Sequence, residues 1–222
     1  MNLSPVGRAA AALVFVLLFS CTSIMGPRLG PVSTRPAETS DVQRLLTEGA
    51  RWAVGRRHLV VRGRSFPYDC TGTVLAIYWY AGIDLARDFG KYSGNGVMRL
   101  YRSLEKQNLL YSSPHPATGD VIFWDNTYDR NGDGAWNDTL THMGMVLRSS
   151  PDGTIQYVHL NYSRGIVIEN MNLLEPNLSK KLIRGSLRIL NSPIRLKERG
   201  QPHPPQWLAG QLYRVLGMGY LF

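Results

Sequence analysis

Residues 70–81 are apolar on almost every side. The segment reads CTGTVLAIYWYA and is followed by Gly82, a residue type that often ends helices. A helix without a polar face has to be buried by other elements of the same fold. The pattern therefore predicts a helix that begins at Cys70 and lies at the centre of a domain.

Amphipathic helices are predicted on both sides of this segment. Residues 41–53 place apolar side chains at helical spacing, and Ser40 or Asp41 is suited to cap the first turn. A further helix is predicted within residues 94–107, again with its apolar side chains on one face.

After Pro116 the pattern changes to short runs rich in Val, Ile and aromatic residues, which favour strands. These runs are residues 120–124, 142–147, 155–159, 166–168 and 183–190. Helices followed by strands predict a single α+β domain over residues 41–222, with helices packed on an antiparallel β-sheet. Its end combines a Pro-rich basic stretch at 191–206 with an apolar helix at 207–222, in which Leu208, Leu212 and Leu216 lie in a row.

Residues 1–20 have the pattern of a signal peptide. One positive charge, Arg8, precedes an apolar run that is too short to span a membrane comfortably, and no acidic residue occurs. The following Ser20-Cys21 resembles a bacterial lipoprotein box, which implies a lipidated Cys21 and a flexible tether over residues 21–40. Thr22 is not the aspartate that favours inner-membrane retention, so we expect the outer membrane, facing the periplasm. An ordinary signal peptide or an uncleaved anchor is the alternative.

Cys70 is the second of only two cysteines. If Cys21 is lipidated, Cys70 is a lone thiol in an exported protein, where it is either a small buried hydrophobe or retained for its reactivity. Its context, FPYDCTG, places the capping-type Asp69 directly before the helix. A helix N-terminus favours the thiolate, and its free N–H groups could bind the oxyanion of a tetrahedral intermediate.

A cysteine hydrolase also needs a general base. His58, His115 and His203 lie among arginines or prolines and are expected on the surface. His142 and His159 lie on predicted strands, where structural histidines are common as well. The residues alone do not establish that Cys70 and either histidine meet in space.

Four motifs resemble those of the NlpC/P60 family of cysteine peptidases, in the family's order: DCTG with its apolar helix and Gly82-Ile83, then ATGDVIFW, THMGMVL and YVHLNYSRGIVIENMN. The resemblance implies a papain-like fold, with Cys70 as nucleophile, His142 as general base and His159 as the third, orienting residue. It also implies a cell-wall hydrolase that cleaves amide bonds of peptidoglycan stem peptides through an acyl-enzyme and requires no cofactor. CHAP amidases share this Cys and His chemistry.

The chain departs from the family in two ways that concern the site. Thr71 replaces the usual serine, and the tyrosine expected about a dozen residues before the cysteine is absent, with His58 nearest that place. Tyr68 is a poor substitute by position. Oxyanion or substrate contacts made by that tyrosine in the family are therefore not accounted for.

The segment before His142 carries oxygen-bearing side chains at alternating positions. They are Asp129, Asn131 and Asp133, followed by Asn137 and Asp138, and their spacing is similar to the first half of an EF-hand loop. Leu140 replaces the bidentate Glu of such loops, so Asp138 would have to compensate. A structural calcium ion that stiffens this loop is one expectation, and a solvated turn is the other.

The net charge of +9 would fall by one on loss of residues 1–20 and still fits anionic envelope polymers and phospholipid head groups. Nucleic acid is the least expected partner, because no zinc-finger or RNA-binding signature occurs. Two alternatives stay open beside the cell-wall hydrolase. One is an amidase or acyl transferase that acts on another amide with the same residues, and the other is a catalytically inactive, wall-binding envelope lipoprotein.

Overall fold

The computed structural model describes Met1, residues 40–195 and residues 204–222. The expected signal peptide, the lipidated Cys21 and most of the tether lie outside the described residues, as do His203 and part of the basic stretch. The helices are α1 (Asp41–Ala53), α2 (Cys70–Tyr80) and α3 (Gly96–Lys106). The strands are β1 (Leu59–Val61), β2 (Arg64–Phe66), β3 (Leu110–Tyr111), β4 (Val121–Trp124), β5 (His142–Ser149), β6 (Thr154–Asn161), β7 (Gly165–Asn172), β8 (Lys180–Ile183), β9 (Ser186–Ile189) and β10 (Tyr213–Gly217).

The three predicted helices are confirmed, and a side chain caps the start of each. Ser40 and Gln43 form a capping box at α1, while Asp69 and Asn95 accept backbone N–H groups at α2 and α3. None of the helices in the described part of the chain is long and apolar enough to cross a membrane.

The central sheet has six strands in the order β3-β10-β4-β5-β6-β7, and every neighbouring pair is antiparallel. The helices cover one face, where Val121, Phe123 and Met145 pack against α2 and its neighbours. The opposite face has its own apolar cluster around Trp124 and Tyr157. The prediction of an α+β fold with helices on an antiparallel sheet is confirmed.

Two predictions about secondary structure are wrong. The apolar segment 207–222 is not an α-helix. A turn forms at Leu208 to Leu212, the chain then extends as β10 between β3 and β4, and a single 3₁₀ turn follows at Gly219–Leu221. Gly217 and Gly219 disfavour a helix there, and the edge of β4 supplies hydrogen-bond partners for a strand. Residues 183–190 are not one strand but most of the hairpin β8–β9, whose turn is formed by Arg184 and Gly185, both with positive φ.

Gly72 explains why the DCTG segment ends in glycine. A Cβ at this position would lie 1.9 Å from the backbone oxygen of Pro67, which folds back over the first turn of α2. The chain before Cys70 and the first turn of the helix are therefore packed directly on each other. This contact fixes where the Cys70 side chain leaves the helix.

Candidate active site

The structure brings Cys70, His142 and His159 together in one groove of about 1160 Å³. Cys70 is the first residue of α2, and its sulfur lies against the backbone N–H of Met143, the second residue of β5. His142 begins β5, and His159 lies on the adjacent strand β6. The groove thus opens where the N-terminus of the buried helix meets the start of a central strand.

A chain of hydrogen bonds runs from His142 into the interior. Its Nε2 lies 2.9 Å from Nδ1 of His159, and Nε2 of His159 lies 3.0 Å from Oε2 of Glu169. Glu169 is on β7 and is 6% exposed, while His159 is 1% exposed. Glu169 is a site residue that the sequence analysis missed.

The buried carboxylate of Glu169 is surrounded by donors. Besides His159, the hydroxyl of Tyr157 donates to Oε2 over 3.3 Å and Nδ2 of Asn161 donates to Oε1 over 3.4 Å. The guanidinium of Arg164 forms an ion pair with the same carboxylate. A buried charge is tolerated when it is paired and hydrogen-bonded in this way.

The chain of hydrogen bonds from Glu169 to His142 determines which ring nitrogen of His142 is basic. An ionised carboxylate only accepts hydrogen bonds, so Nε2 of His159 carries the proton in that bond. A neutral His159 then accepts at Nδ1, which requires the proton of His142 to be on Nε2. The lone pair of His142 is consequently on Nδ1, the nitrogen not used in the chain.

Desolvation leaves both imidazoles neutral, with His159 buried and His142 half-buried. Burial holds the pKa of His142 well below its usual 6.5, and a positive charge on His159 would lower it further. Burial, and next the positive charge of Arg164, lower the pKa of His159 to about 3. The contact between His159 and Glu169 is therefore a hydrogen bond from a neutral ring to a carboxylate rather than an ion pair.

The thiol of Cys70 is also neutral, contrary to the expectation for a helix N-terminus. Burial raises the pKa of Cys70 above 9.0, and the adjacent carboxylate of Asp69 raises it further. The N–H of Met143 and then the hydroxyl and N–H of Thr71 lower the pKa of Cys70 but do not compensate. The resting pair is thus a thiol and a neutral base, not a thiolate and an imidazolium.

The first turn of α2 offers fewer oxyanion donors than expected. The N–H of Gly72 donates to Oδ1 of Asp69 over 2.7 Å, and the N–H of Thr73 donates to the Asp69 carbonyl over 3.0 Å. The N–H of Thr71 faces the Cys70 sulfur. This leaves the N–H of Cys70 itself as the donor at the helix start.

Two tyrosines line the groove near Cys70. Tyr128 follows Thr127, whose N–H and hydroxyl bond to the hydroxyl of Thr141 over 3.0 and 2.9 Å, so this loop is fixed next to His142. Burial raises the pKa of the Tyr128 hydroxyl, and the field of Cys70, which lines the same groove, raises it further. Tyr68 points elsewhere, with its hydroxyl against the backbone of Gly165.

The loop from Asp129 to Asp138 is held by its own hydrogen bonds. The carboxylate of Asp129 accepts the N–H groups of Gly132 and Gly134, and the side chains of Asn131 and Asn137 donate to Asp133. Asp138 is 2% exposed and accepts the N–H of Arg130, whose guanidinium it also faces. Within the described residues no group of three or more His, Cys, Asp or Glu side chains is arranged to hold a metal ion. Calcium binding here stays a prediction.

The other described histidines lie on the surface as predicted. His58 and His115 are exposed and line neither the groove nor the hydrogen-bond chain.

Comparisons with known proteins add no relative. Searches against protein-family models, curated proteins and solved structures each returned no match. The resemblance to the NlpC/P60 family and the papain-like fold therefore stay predictions from the sequence motifs.

Replacing Asp69 by Asn tests the electrostatics of Cys70. Asn caps a helix as well as Asp does, so the bond to Gly72 is kept while the charge is removed. We expect the pKa of Cys70 to fall. The measurement is the iodoacetamide alkylation rate against pH in a Cys21→Ser background, where Cys70 is the only thiol. Asp152→Asn, at the opposite end of β5, should leave the profile unchanged, and an unchanged or higher midpoint in Asp69→Asn would contradict the assignment.

Replacing Glu169 by Gln tests the hydrogen-bond chain. The amide introduces a donor among Tyr157, Asn161 and Arg164, which favours turning it toward His159 and reversing both tautomers. Loss of a carboxylate that fixes a catalytic imidazole directly costs about 10⁴ in kcat. With one imidazole in between, we expect a loss of roughly a hundredfold in kcat with little change in KM.

The ¹⁵N shifts of the histidine rings give a readout that does not depend on a substrate. They should place the protons on Nε2 of His142 and His159 in the wild type and move at least one of them in Glu169→Gln. Identical ring shifts in the two proteins, with kcat unchanged, would remove Glu169 from the site.

Proposed function

We propose that the protein is a cysteine hydrolase of the NlpC/P60 type with a papain-like fold, which cleaves amide bonds in cell-wall peptides. The observation that carries the proposal is the hydrogen-bond chain Glu169–His159–His142, which leaves Nδ1 of His142 as a base in the groove that Cys70 also lines. A domain that only bound the cell wall would have no need for a buried carboxylate that fixes two tautomers.

The reaction follows from these groups. Nδ1 of His142 takes the thiol proton as the Cys70 sulfur bonds to the carbonyl carbon and the carbonyl electrons move to oxygen. The imidazolium then gives that proton to the amide nitrogen, which leaves as an amine. Water, deprotonated by His142, attacks the acyl-enzyme and releases the acid and the Cys70 thiol. Glu169 stabilises the transient imidazolium through His159.

The oxyanion would be held by two donors. One is the backbone N–H of Cys70, and the other is the hydroxyl of Tyr128, which lines the same groove and stays protonated. Tyr128 would thus supply, from a different loop, the tyrosine hydroxyl that the family places about a dozen residues before the cysteine and that this chain lacks there.

The assignment to peptidoglycan stem peptides is supported by the motif resemblance, by the export signal expected in residues 1–20 and by the basic charge. Lipidation at Cys21 and an outer-membrane location belong to the same proposal. A second candidate is an acyl-amide hydrolase or acyl transferase. It is favoured by one observation, the apolar side chains of Ile168, Ile189 and Ile194 that line the groove beyond the site.

Replacing Cys70 by Ala should abolish the release of soluble fragments from purified sacculi, because it removes the one thiol among the described residues that line the groove. Loss of the nucleophile in such sites lowers turnover by roughly 10³-fold or more. Thermal unfolding of the variant shows whether the fold is kept. Release that is undiminished in a folded Cys70→Ala protein would end the proposal, and a panel of stem peptides and N-acyl amides separates the two candidate substrates.

Replacing Tyr128 by Phe should lower kcat by roughly a hundredfold at unchanged KM, as for loss of one oxyanion donor. Tyr68→Phe, which removes a hydroxyl from the same groove, is the matched control and should be near wild type. Trifluoroacetone offers a substrate-free readout, because Cys70 adds to its carbonyl and the resulting oxyanion adduct is visible by ¹⁹F NMR. Equal adduct stability in the two variants would exclude the Tyr128 contact even if the natural substrate were another amide.

A further inference from the structure

The hairpin β8–β9 is a separate two-stranded sheet with two different faces. Leu182 pairs with Leu187, Lys180 with Ile189, and Lys181 with Arg188. Because successive side chains of a strand point to opposite sides, the two leucines and Ile189 share one face and Lys181 and Arg188 share the other.

The apolar face of this hairpin is open to solvent. Leu182 is 68% exposed, Leu187 is 65% exposed and Ile189 is 48% exposed. Leu174 and Leu178, in the segment leading into β8, are exposed as well. A group of exposed apolar side chains in one stretch is unusual on a monomer surface and marks an interaction site.

Hydrogen bonds at the base of the hairpin hold it in the position that exposes its apolar face. At the base of the hairpin the N–H of Leu190 donates to the Ser179 carbonyl over 2.9 Å, and Nδ2 of Asn170 donates to the Ile189 carbonyl over 3.1 Å. Nδ2 of Asn191 bonds to the carbonyls of Glu175 and Leu178, each over 2.9 Å. These bonds present the hairpin in a fixed place.

The charges carried by the hairpin itself have one sign. Residues 176–195 contain five basic residues and no acidic one: Lys180, Lys181, Arg184, Arg188 and Arg195. Lys181 pairs with Glu175, and Arg188 lies in the field of Asp152. Among the described residues, Lys180 and the turn residue Arg184 form no ion pair, so their charges are available to a partner.

We propose that the β8–β9 hairpin docks on an anionic phospholipid surface, with Leu182, Leu187 and Ile189 inserted at the head groups and Lys180 and Arg184 facing phosphates. Leucines bordered by basic side chains match the chemistry of such a surface, because apolar side chains insert at the head groups while basic side chains are attracted to anionic lipid. Ile189 also lines the groove, so docking holds the groove next to the membrane. The inference does not depend on the hydrolase activity.

The test is hydrogen exchange of residues 180–189 in the full chain, with and without vesicles. A local readout is needed because the apolar segment at 9–19 would contribute to any bulk binding. We expect exchange to slow on phosphatidylglycerol-containing vesicles, to slow much less on pure phosphatidylcholine and to recover in high salt. The double variant Leu182→Asn, Leu187→Asn should lose the protection. The control Val60→Asn, Leu221→Asn removes equally exposed apolar side chains elsewhere and should retain it.

Each other outcome overturns the proposal. Protection without vesicles that grows with protein concentration would identify a second copy of the chain as the occupant. Protection without vesicles at every concentration would identify another segment of the same chain. Equal protection on neutral and anionic vesicles would exclude the basic residues, and an absence of protection on either would exclude the surface altogether. None of these results depends on whether sacculi are cleaved.

Discussion

The buried carboxylate of Glu169 is the constraint on which the site depends. It cannot donate a hydrogen bond, so it dictates the proton positions of His159 and, through it, of His142. The proton positions also decide how the Cys70 thiol can be deprotonated, because only one of the two ring nitrogens of His142 is left to act as a base. The Glu169 carboxylate, at one end of the hydrogen-bond chain, thus determines that Nδ1 of His142, at the other end, is the base.

The sheet makes this arrangement rigid. The three residues come from neighbouring strands β5, β6 and β7, and Glu169 is paired in register with Tyr157, which also donates to it. Gly144 gives the space, because a Cβ there would lie 2.8 Å from the Val158 carbonyl and 3.2 Å from both His159 and Trp124. The glycine two residues after His142 is therefore needed for the rings to approach each other.

Much of the fold and of the candidate site could be predicted from the sequence, and the features that could not be predicted share one cause. Helix periodicity, capping residues and the apolar run after Cys70 are local signals, and they gave α2, its first residue and the strands that carry His142 and His159. Glu169 and Tyr128 act through contacts between strands or loops, and no spacing along the chain shows such contacts. The prediction of a helix at 207–222 is wrong for a related reason, because pairing with the open edge of β4 favours a strand there.

Burial explains why the thiol and both imidazoles are neutral, and it changes the role of the carboxylate. A helix N-terminus stabilises a thiolate, but here desolvation and the charge of Asp69 outweigh it and the pKa of Cys70 is raised. The same desolvation lowers the pKa of both histidines. Cys70 and His142 therefore form no thiolate–imidazolium pair at rest, and charge separates between them only as the sulfur attacks. Glu169 is then most effective in the transition state, when His142 becomes positive, which is where stabilisation accelerates a reaction.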